Sequence, residues 1–459
     1  MHKRSLALIV GLGLAASACK DSTGVGDLNN VSADALAGGL NRSSTQLLVT
    51  GLLNQTRADQ GLRTTVFTET LARDFYRLDA NEPRFITELL GGTADPGGFV
   101  GGGAFAGYYV TVRAANNLID AVANATGLTD AEKSGTRGLA RTFKALALYR
   151  VLETRDSLGI AVDVNKPIDA PPAEFVCKPN ALAYISAQLD TAKTELAAAG
   201  GTFAFALPSG FSKFGQFNTP AAFLKFTRGL KGKVEVYRGL SFQKPNAASF
   251  DVAIAELGGS FLDTAAPMSN GMYNTYSTSA GDAVNPLADA LIYLNPSVQD
   301  SIVATDLRNA KITPVATAGT GSGVSSTEKP TNSSPDSLTT PLAILKNSEL
   351  ILLRAQAEIE KGDLVAAQND INAVREKDGG LPRYIVPFTT KRQAIDALLY
   401  EKRYSLLGEG AQRLVDLRAY SLLQTRDPEV SGDQFQATLP IPKSELDARN
   451  TTSITPACP

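Results

Sequence analysis

The sequence predicts a mainly α protein in which several helical hairpins form a scaffold, with a loop-rich irregular lobe carrying short strands. Three observations lead there. Apolar residues recur at helical spacing in four separated regions, about 45–71, 108–153, 180–240 and 347–420. Two other stretches, about 72–107 and 258–341, lose that period and fill with Gly, Ser, Thr, Asn and Pro. Short Gly-containing turns separate neighbouring helical segments, which is the pattern of hairpins that bury their faces against one another.

The chain opens with His2, Lys3 and Arg4, an apolar run from Leu6 to Leu14, and small residues before Cys19. That order of basic, apolar and small segments is the layout of a secretory signal, predicted over residues 1–18. Ala16-Ser17-Ala18-Cys19 resembles a bacterial lipobox, which makes Cys19 the lipidation site and residues 19–459 the mature domain. No other apolar run reaches the roughly 20 residues that a spanning helix needs. The expectation is a folded body on a lipid tether.

Loss of the leader removes Lys3 and Arg4, so 42 basic against 46 acidic residues leave a formal charge of −4. It also removes His2, the only histidine. A chain without histidine has no Ser-His-Asp or Cys-His arrangement and no His-based zinc site. Near-neutral charge speaks against nucleic acid as a partner. No cofactor and no metal is expected.

In an exported chain with Cys19 acylated, Cys177 and Cys458 remain, and they are predicted to pair. The alternative is one buried and one terminal thiol.

Leu47, Leu48, Leu52, Leu53, Val66, Phe67 and Leu71 predict helix over 45–71. The following segment, 72–85, mixes charge, aromatics and Pro, and Gly91 to Gly107 is too Gly-rich for regular structure. It lacks the GxxxxGK[ST] signature and a preceding strand, so it reads as a surface loop carrying Phe99 and Phe105. A helix from Tyr108 to Ala125 follows, then a second to about Glu153 that opens on a capping box, Thr129 with Glu132. Four prolines make 159–179 an extended connector. Helices over 180–199 and 219–240 come next, the latter with Lys225, Arg228, Lys231 and Lys233 read as a solvated face.

From Gly258 to Pro341 the helical pattern disappears, apart from strand-like pieces such as residues 290–294. Thr317 to Ser337 reads as low-complexity and mobile. Within this region Tyr273 and Tyr276 stand beside Asn270, Asn274 and several hydroxyls, the groups that a sugar's C–H face and hydroxyl ring require.

The last helical region turns at Gly362-Asp363, with Ala355 on one helix and Ala367, Ile371 and Val374 on the next, at spacings that resemble a tetratricopeptide-type hairpin. It continues as a helix, a Gly break and another helix, where Glu401, Arg403, Glu409, Arg413, Asp416 and Arg418 alternate in sign. Their spacing suits ion pairs that fix one helix against its neighbours rather than a catalytic cluster.

Three C-terminal segments carry a family resemblance: the hairpin end INAVREKDGGL, the helix pair ALLYEKRYSLLGEGAQRLVDLRAY, and the closing LPIPKSELDARN. Together with RTFKALALYRVLETRD and the lipobox, they resemble the SusD/RagB family of outer-membrane nutrient-binding lipoproteins. The chain departs from the family in lacking tryptophan and in having Gln412, Leu414 and Val415 where His and Trp are frequent. Any sugar platform must therefore use Tyr and Phe.

The resemblance implies a single non-enzymatic domain over 19–459, lipid-anchored at the outer membrane and facing the cell exterior. It implies capture of an oligomeric nutrient, with a glycan ahead of a peptide, and delivery to a SusC-like TonB-dependent barrel. Candidate ligand-binding residues are Asp74, Tyr76 and Arg84 from the first loop, Phe99 from the Gly-rich loop, and Tyr273, Asn274 and Tyr276 from the polar region. A tetratricopeptide-type scaffold lipoprotein that binds only proteins and a periplasmic hydrolase are the competing classes, and the absent histidine and missing nucleophile motif count against the latter.

Overall fold

The computed structural model describes residues 40–456 and 458, apart from 58, 93, 168, 243 and 431. The leader and Cys19 lie outside the described residues. Fourteen α-helices are formed within them: α1 (Arg42–Gln55), α2 (Phe67–Leu71), α3 (Arg84–Thr87), α4 (Ala106–Ala123), α5 (Asp130–Arg155), α6 (Lys178–Ala197), α7 (Pro220–Gly239), α8 (Ala247–Gly258), α9 (Pro296–Ser301), α10 (Asn347–Lys361), α11 (Leu364–Lys377), α12 (Lys391–Ser405), α13 (Gln412–Ala419) and α14 (Lys443–Ala448).

Helices neighbouring in sequence pack side by side: α4 on α5, α5 on α6, α6 on α7, α7 on α8, α8 on α10, and α10 on both α11 and α12. These are the tetratricopeptide-like hairpins; α4 to α8 and one side of α10 share the main core, while α10, α11 and α12 enclose a second cluster. Close approach depends on missing side chains: a Cβ at Gly138 would lie 2.7 Å from Leu196 Cγ, and one at Gly232 would lie 2.5 Å from Leu257 Cγ. The Thr129–Glu132 capping box forms as expected, and Gly362 ends α10 in the left-handed conformation, φ 85°.

Region 45–71 departs from a single helix. After α1 the chain breaks, then runs as a π-helical turn over Gln60–Val66 before α2. The local cause is hydroxyl competition: the Thr65 Oγ1 donates to Gln60 O at 2.6 Å, and Thr68 and Thr70 donate to carbonyls four residues back. Helix α8 was not anticipated, although Asn246 caps it and Phe250, Ala253 and Leu257 recur on its buried face.

The basic run on α7 is also corrected. Lys225 is exposed, but Lys231 and Lys233 are buried, with Lys233 Nζ 2.8 Å from Glu349 Oε1 on α10. The alternating charges of α12 and α13 form ion pairs and capping contacts: Glu401 binds Arg308 and Arg375 at 2.7 and 2.9 Å, Asp416 binds Lys402 at 2.8 Å, and Arg418 donates to the Glu153 carbonyl at 2.6 Å.

Among the described residues eight strands are formed: β1 (Phe75–Arg77), β2 (Ile160–Ala161), β3 (Phe175–Val176), β4 (Gly271–Asn274), β5 (Ile292–Leu294), β6 (Ile312–Gly321), β7 (Val324–Pro330) and β8 (Leu342–Lys346). They pair antiparallel in twos, β1 with β5, β2 with β3, β4 with β8, and β6 with β7. The segment expected to be mobile, Thr317 to Ser337, instead supplies most of the β6–β7 hairpin, which packs on β5. Cys177, just before α6, is bonded to Cys458 with a Cα–Cα distance of 5.5 Å, as expected. Among the described residues no helix is long and apolar enough to cross a membrane.

Candidate functional site

The two loop-rich regions meet at the β1–β5 ladder, where Tyr76 lies opposite Tyr293. Strand alternation then sorts the side chains. Phe75 turns inward to a cluster with Tyr276, Leu287, Ile292 and Tyr404. Tyr76 turns the other way, among Leu78, Ile86, Leu90 and Val324.

On that second side a cleft of about 330 Å³ opens between β1, the start of α9, the β6–β7 turn and the 426–429 segment. Its wall is a hydrogen-bonded set. Tyr76 Oη donates to Glu429 Oε2 at 2.5 Å, while Asn295 Nδ2 donates to Glu429 Oε1 at 2.5 Å and to Tyr76 Oη at 2.8 Å. Asn295 is placed by its second task, capping α9 through Ser297 N at 2.8 Å. Burial pushes the Glu429 carboxyl above its usual range despite the bonds from Tyr76 and Asn295. Arg73, 1% exposed, donates Nη2 to Asp433 but leaves Nε and Nη1 without partners. Phenol, amide, carboxyl, guanidinium and the Ser297 and Ser325 hydroxyls give this cleft the donors and acceptors that a hydroxyl-rich ligand needs.

Of the predicted residues, Tyr76 lines this cleft. Asp74 does not: it is 1% exposed and accepts from Arg403 Nη2 at 2.7 Å and Nε at 3.1 Å, so its carboxylate is already committed. Burial alone would raise that carboxyl, but Arg403 and Arg413 outweigh it and hold it below the usual range. Arg84 is tied to Glu82 and lies 4.6 Å over the Phe99 ring, which packs on Phe85 and Phe67. That pair forms the outer edge of an aromatic cluster.

Tyr273, Asn274 and Tyr276 occupy a different place, on and after β4. Tyr273 is half-buried against Phe214 and donates to Ser269 O at 2.7 Å. Asn274 is buried and bonded to Gln60. Tyr276 is buried in the cluster behind β1. In 269–282 the chain pairs as β4, Asn274 bonds inward to Gln60, and the Tyr276 ring is buried, so neither of these nor Asp74 reaches the cleft beside β1. Sequence reading missed Arg73, Asn295, Gly323, Arg426 and Glu429; only Asn295-Pro296, a helix-start signal, could have drawn attention.

A second cleft, about 280 Å³, adjoins the first and is walled by α12, α13 and residues 422–426. Arg392, Arg403, Arg413 and Arg426 line it, and Arg426 is common to both clefts. A third, more open groove of about 530 Å³ runs along Tyr384, Val386, Pro387, Phe388 and Tyr400.

No protein-family model matches the chain, and no curated protein matches it. Solved structures do. A SusD superfamily protein from Bacteroides thetaiotaomicron VPI-5482 is 14% identical, with a TM-score of 0.68, covering 91% of this chain and 100% of its own. A SusD superfamily protein from Bacteroides fragilis NCTC 9343 is 15% identical, with a TM-score of 0.66 and coverages of 91% and 99%. Surface glycan-binding protein A from Bacteroides thetaiotaomicron, in complex with laminarihexaose, is 14% identical, with a TM-score of 0.66 and coverages of 90% and 99%. Across nearly its whole described length, the chain has the fold of the SusD superfamily.

Proposed function

We propose that this protein is a non-enzymatic surface lipoprotein, anchored through Cys19 at the outer membrane, that binds an oligosaccharide in the cleft beside β1 and β5. It passes that ligand to a partner SusC-like TonB-dependent barrel. The observation that carries the reading is the Tyr76–Asn295–Glu429 set: a preorganised row of polar groups in an open cleft, where the two loop-rich regions converge. Its location on a fold shared with a laminarihexaose-binding protein supports a glycan over other oligomers. Binding is of the wet, hydrogen-bonded kind, with modest affinity, since the aromatic rings lining this side are largely covered.

Retention on glycan-loaded gels tests the ligand. Wild type is expected to be retarded by a matching oligosaccharide, and Asn295→Ala to lose about tenfold in affinity, or about 1.4 kcal/mol. Equal retention of both proteins on every gel that retards wild type removes this cleft from the site. Co-purification from native membranes tests the partner: a stoichiometric barrel is expected, and a lone lipoprotein counts against the delivery role. Ile385 and Val386, 88% and 73% exposed in the loop between α11 and α12, give an apolar contact suited to such a partner.

A further inference from the structure

Three arginines meet the Asp74 carboxylate where the two clefts join. Arg403 clamps Asp74 with two bonds, Arg413 Nε stands 3.5 Å from Asp74 Oδ2, and Arg426 adds its field to the same carboxylate. The next carboxyl inward, Glu69, is pushed well above its usual range by burial and then by the Asp74 charge.

The other acids nearby are committed elsewhere. Asp396 pairs with Arg392 at 2.9 Å, Asp433 with Arg73, and Glu429 with Tyr76 and Asn295. Asp427 lines only the first cleft. Arg403, Arg413 and Arg426 thus converge on the Asp74 carboxylate where the two clefts join.

Their hydrogen-bonding capacity is unfilled as well. Arg413 and Arg426 each bury an Nε that has no hydrogen-bond partner. Among the described residues, the Arg426 side chain is otherwise held by a 3.3 Å bond to Ser297 Oγ. Burial, together with Arg403 and Arg426, pulls the Arg413 guanidinium below its ordinary value, the direction expected where like charges crowd. An anion in the second cleft would lie against Arg413 and Arg426, which line it, and offset the like charges crowded there. Planar guanidinium groups suit a carboxylate or sulfate through paired N–H donors.

We infer, on the reading that the first cleft binds an oligosaccharide, that the ligand is an acidic one whose carboxylate or sulfate docks between Arg413 and Arg426 in the second cleft. Its neutral hydroxyls then meet the Tyr76–Asn295–Glu429 row. Arg426 joins the two clefts, so one oligomer can engage both.

Calorimetric titration of the detergent-solubilised chain tests this with four probes: an oligogalacturonate, a sulfated glucan oligomer, a neutral glucan oligomer and inorganic sulfate. Acidic oligomers are expected to bind at least tenfold tighter than the neutral one, and Arg426→Gln is expected to erase that ratio. The tighter of the two acidic oligomers identifies the anionic group. An unchanged urea midpoint for Arg426→Gln confirms that folding is not the cause.

Acidic and neutral oligomers binding alike, with Arg426→Gln changing neither, overturns the inference while leaving oligosaccharide binding in place. Inorganic sulfate binding that Arg426→Gln abolishes, with no oligomer bound, supports the anion site and sinks the oligosaccharide reading instead. Failure of both sulfate and the acidic oligomers to bind overturns the inference.

Discussion

Asp74 and Arg403 stand 329 positions apart in the chain and form a two-bond ion pair, Nη2 to Oδ1 at 2.7 Å and Nε to Oδ2 at 3.1 Å. The pair ties the end of the first helical region to α12 and brings Arg413 into the same buried network. It converts the start of the first loop from candidate ligand site into framework.

Asp74→Asn removes the carboxylate from beneath two buried guanidiniums. A loss of about 3–5 kcal/mol in stability at pH 7 is expected, read from urea unfolding. Because the folded-state pKa is lowered, the stabilisation is present above the ordinary value of 3.8 and disappears as pH falls through the folded value. Wild type and variant should therefore converge in acid, and a pH-independent gap would refute the assignment.

Glu358 on α10 titrates in the opposite sense. Burial, then Asp370, lift its carboxyl to about 7, with Arg354 3.9 Å away and Oε2 unpartnered. The folded state holds a proton that the unfolded state releases near 4.5, so stability declines between that value and about 7. Glu358→Gln should gain roughly 1 kcal/mol at pH 8 and nothing at pH 4. Thermal melts at the two pH values decide it.

Reduction of the Cys177–Cys458 bond opens a loop spanning 281 positions. The chain-entropy model gives on the order of 5 kcal/mol for such a closure. Cys458→Ser should lower the urea midpoint accordingly, and thiol titration of the unreduced, unfolded wild type should find neither cysteine reactive.

Tyr276 separates burial from binding. Its ring fills the cluster behind β1, but its hydroxyl is buried without a partner. Tyr276→Ala should cost about 3–5 kcal/mol by emptying the cluster, whereas Tyr276→Phe should be neutral or slightly stabilising, since it removes an unsatisfied group. A ligand-binding defect in Tyr276→Phe at full stability would return this residue to the site.

The helical scaffold was legible because helix formation is announced locally. The apolar period of α6, the Thr129–Glu132 capping box and the Gly362 stop each act within a turn or two of chain. The alternating charges of α12 and α13 were legible as ion pairs for the same reason, although their partners were not. Lys233 looked solvated because nothing near it in sequence shows that Glu349, 116 positions on, waits 2.8 Å away.

The site was less legible because it is assembled from segments distant in sequence. Tyr76 was found by its composition, but Arg73, Asn295 and the Arg426–Glu429 stretch belong to three separate segments with no shared motif. Asn274 and Tyr276 face inward, which the sequence does not show, because an amide or phenol in a polar stretch reads the same whether it faces water or the core. The periodicity, caps, cysteine count and charge spacing of this chain determined its hairpins, their order and its disulfide, since those depend on neighbouring residues and on composition. Tertiary structure alone decided which face of β1 looks outward and which arginines share Asp74, because both depend on pairing over hundreds of residues, where burial rather than local preference sets the energy.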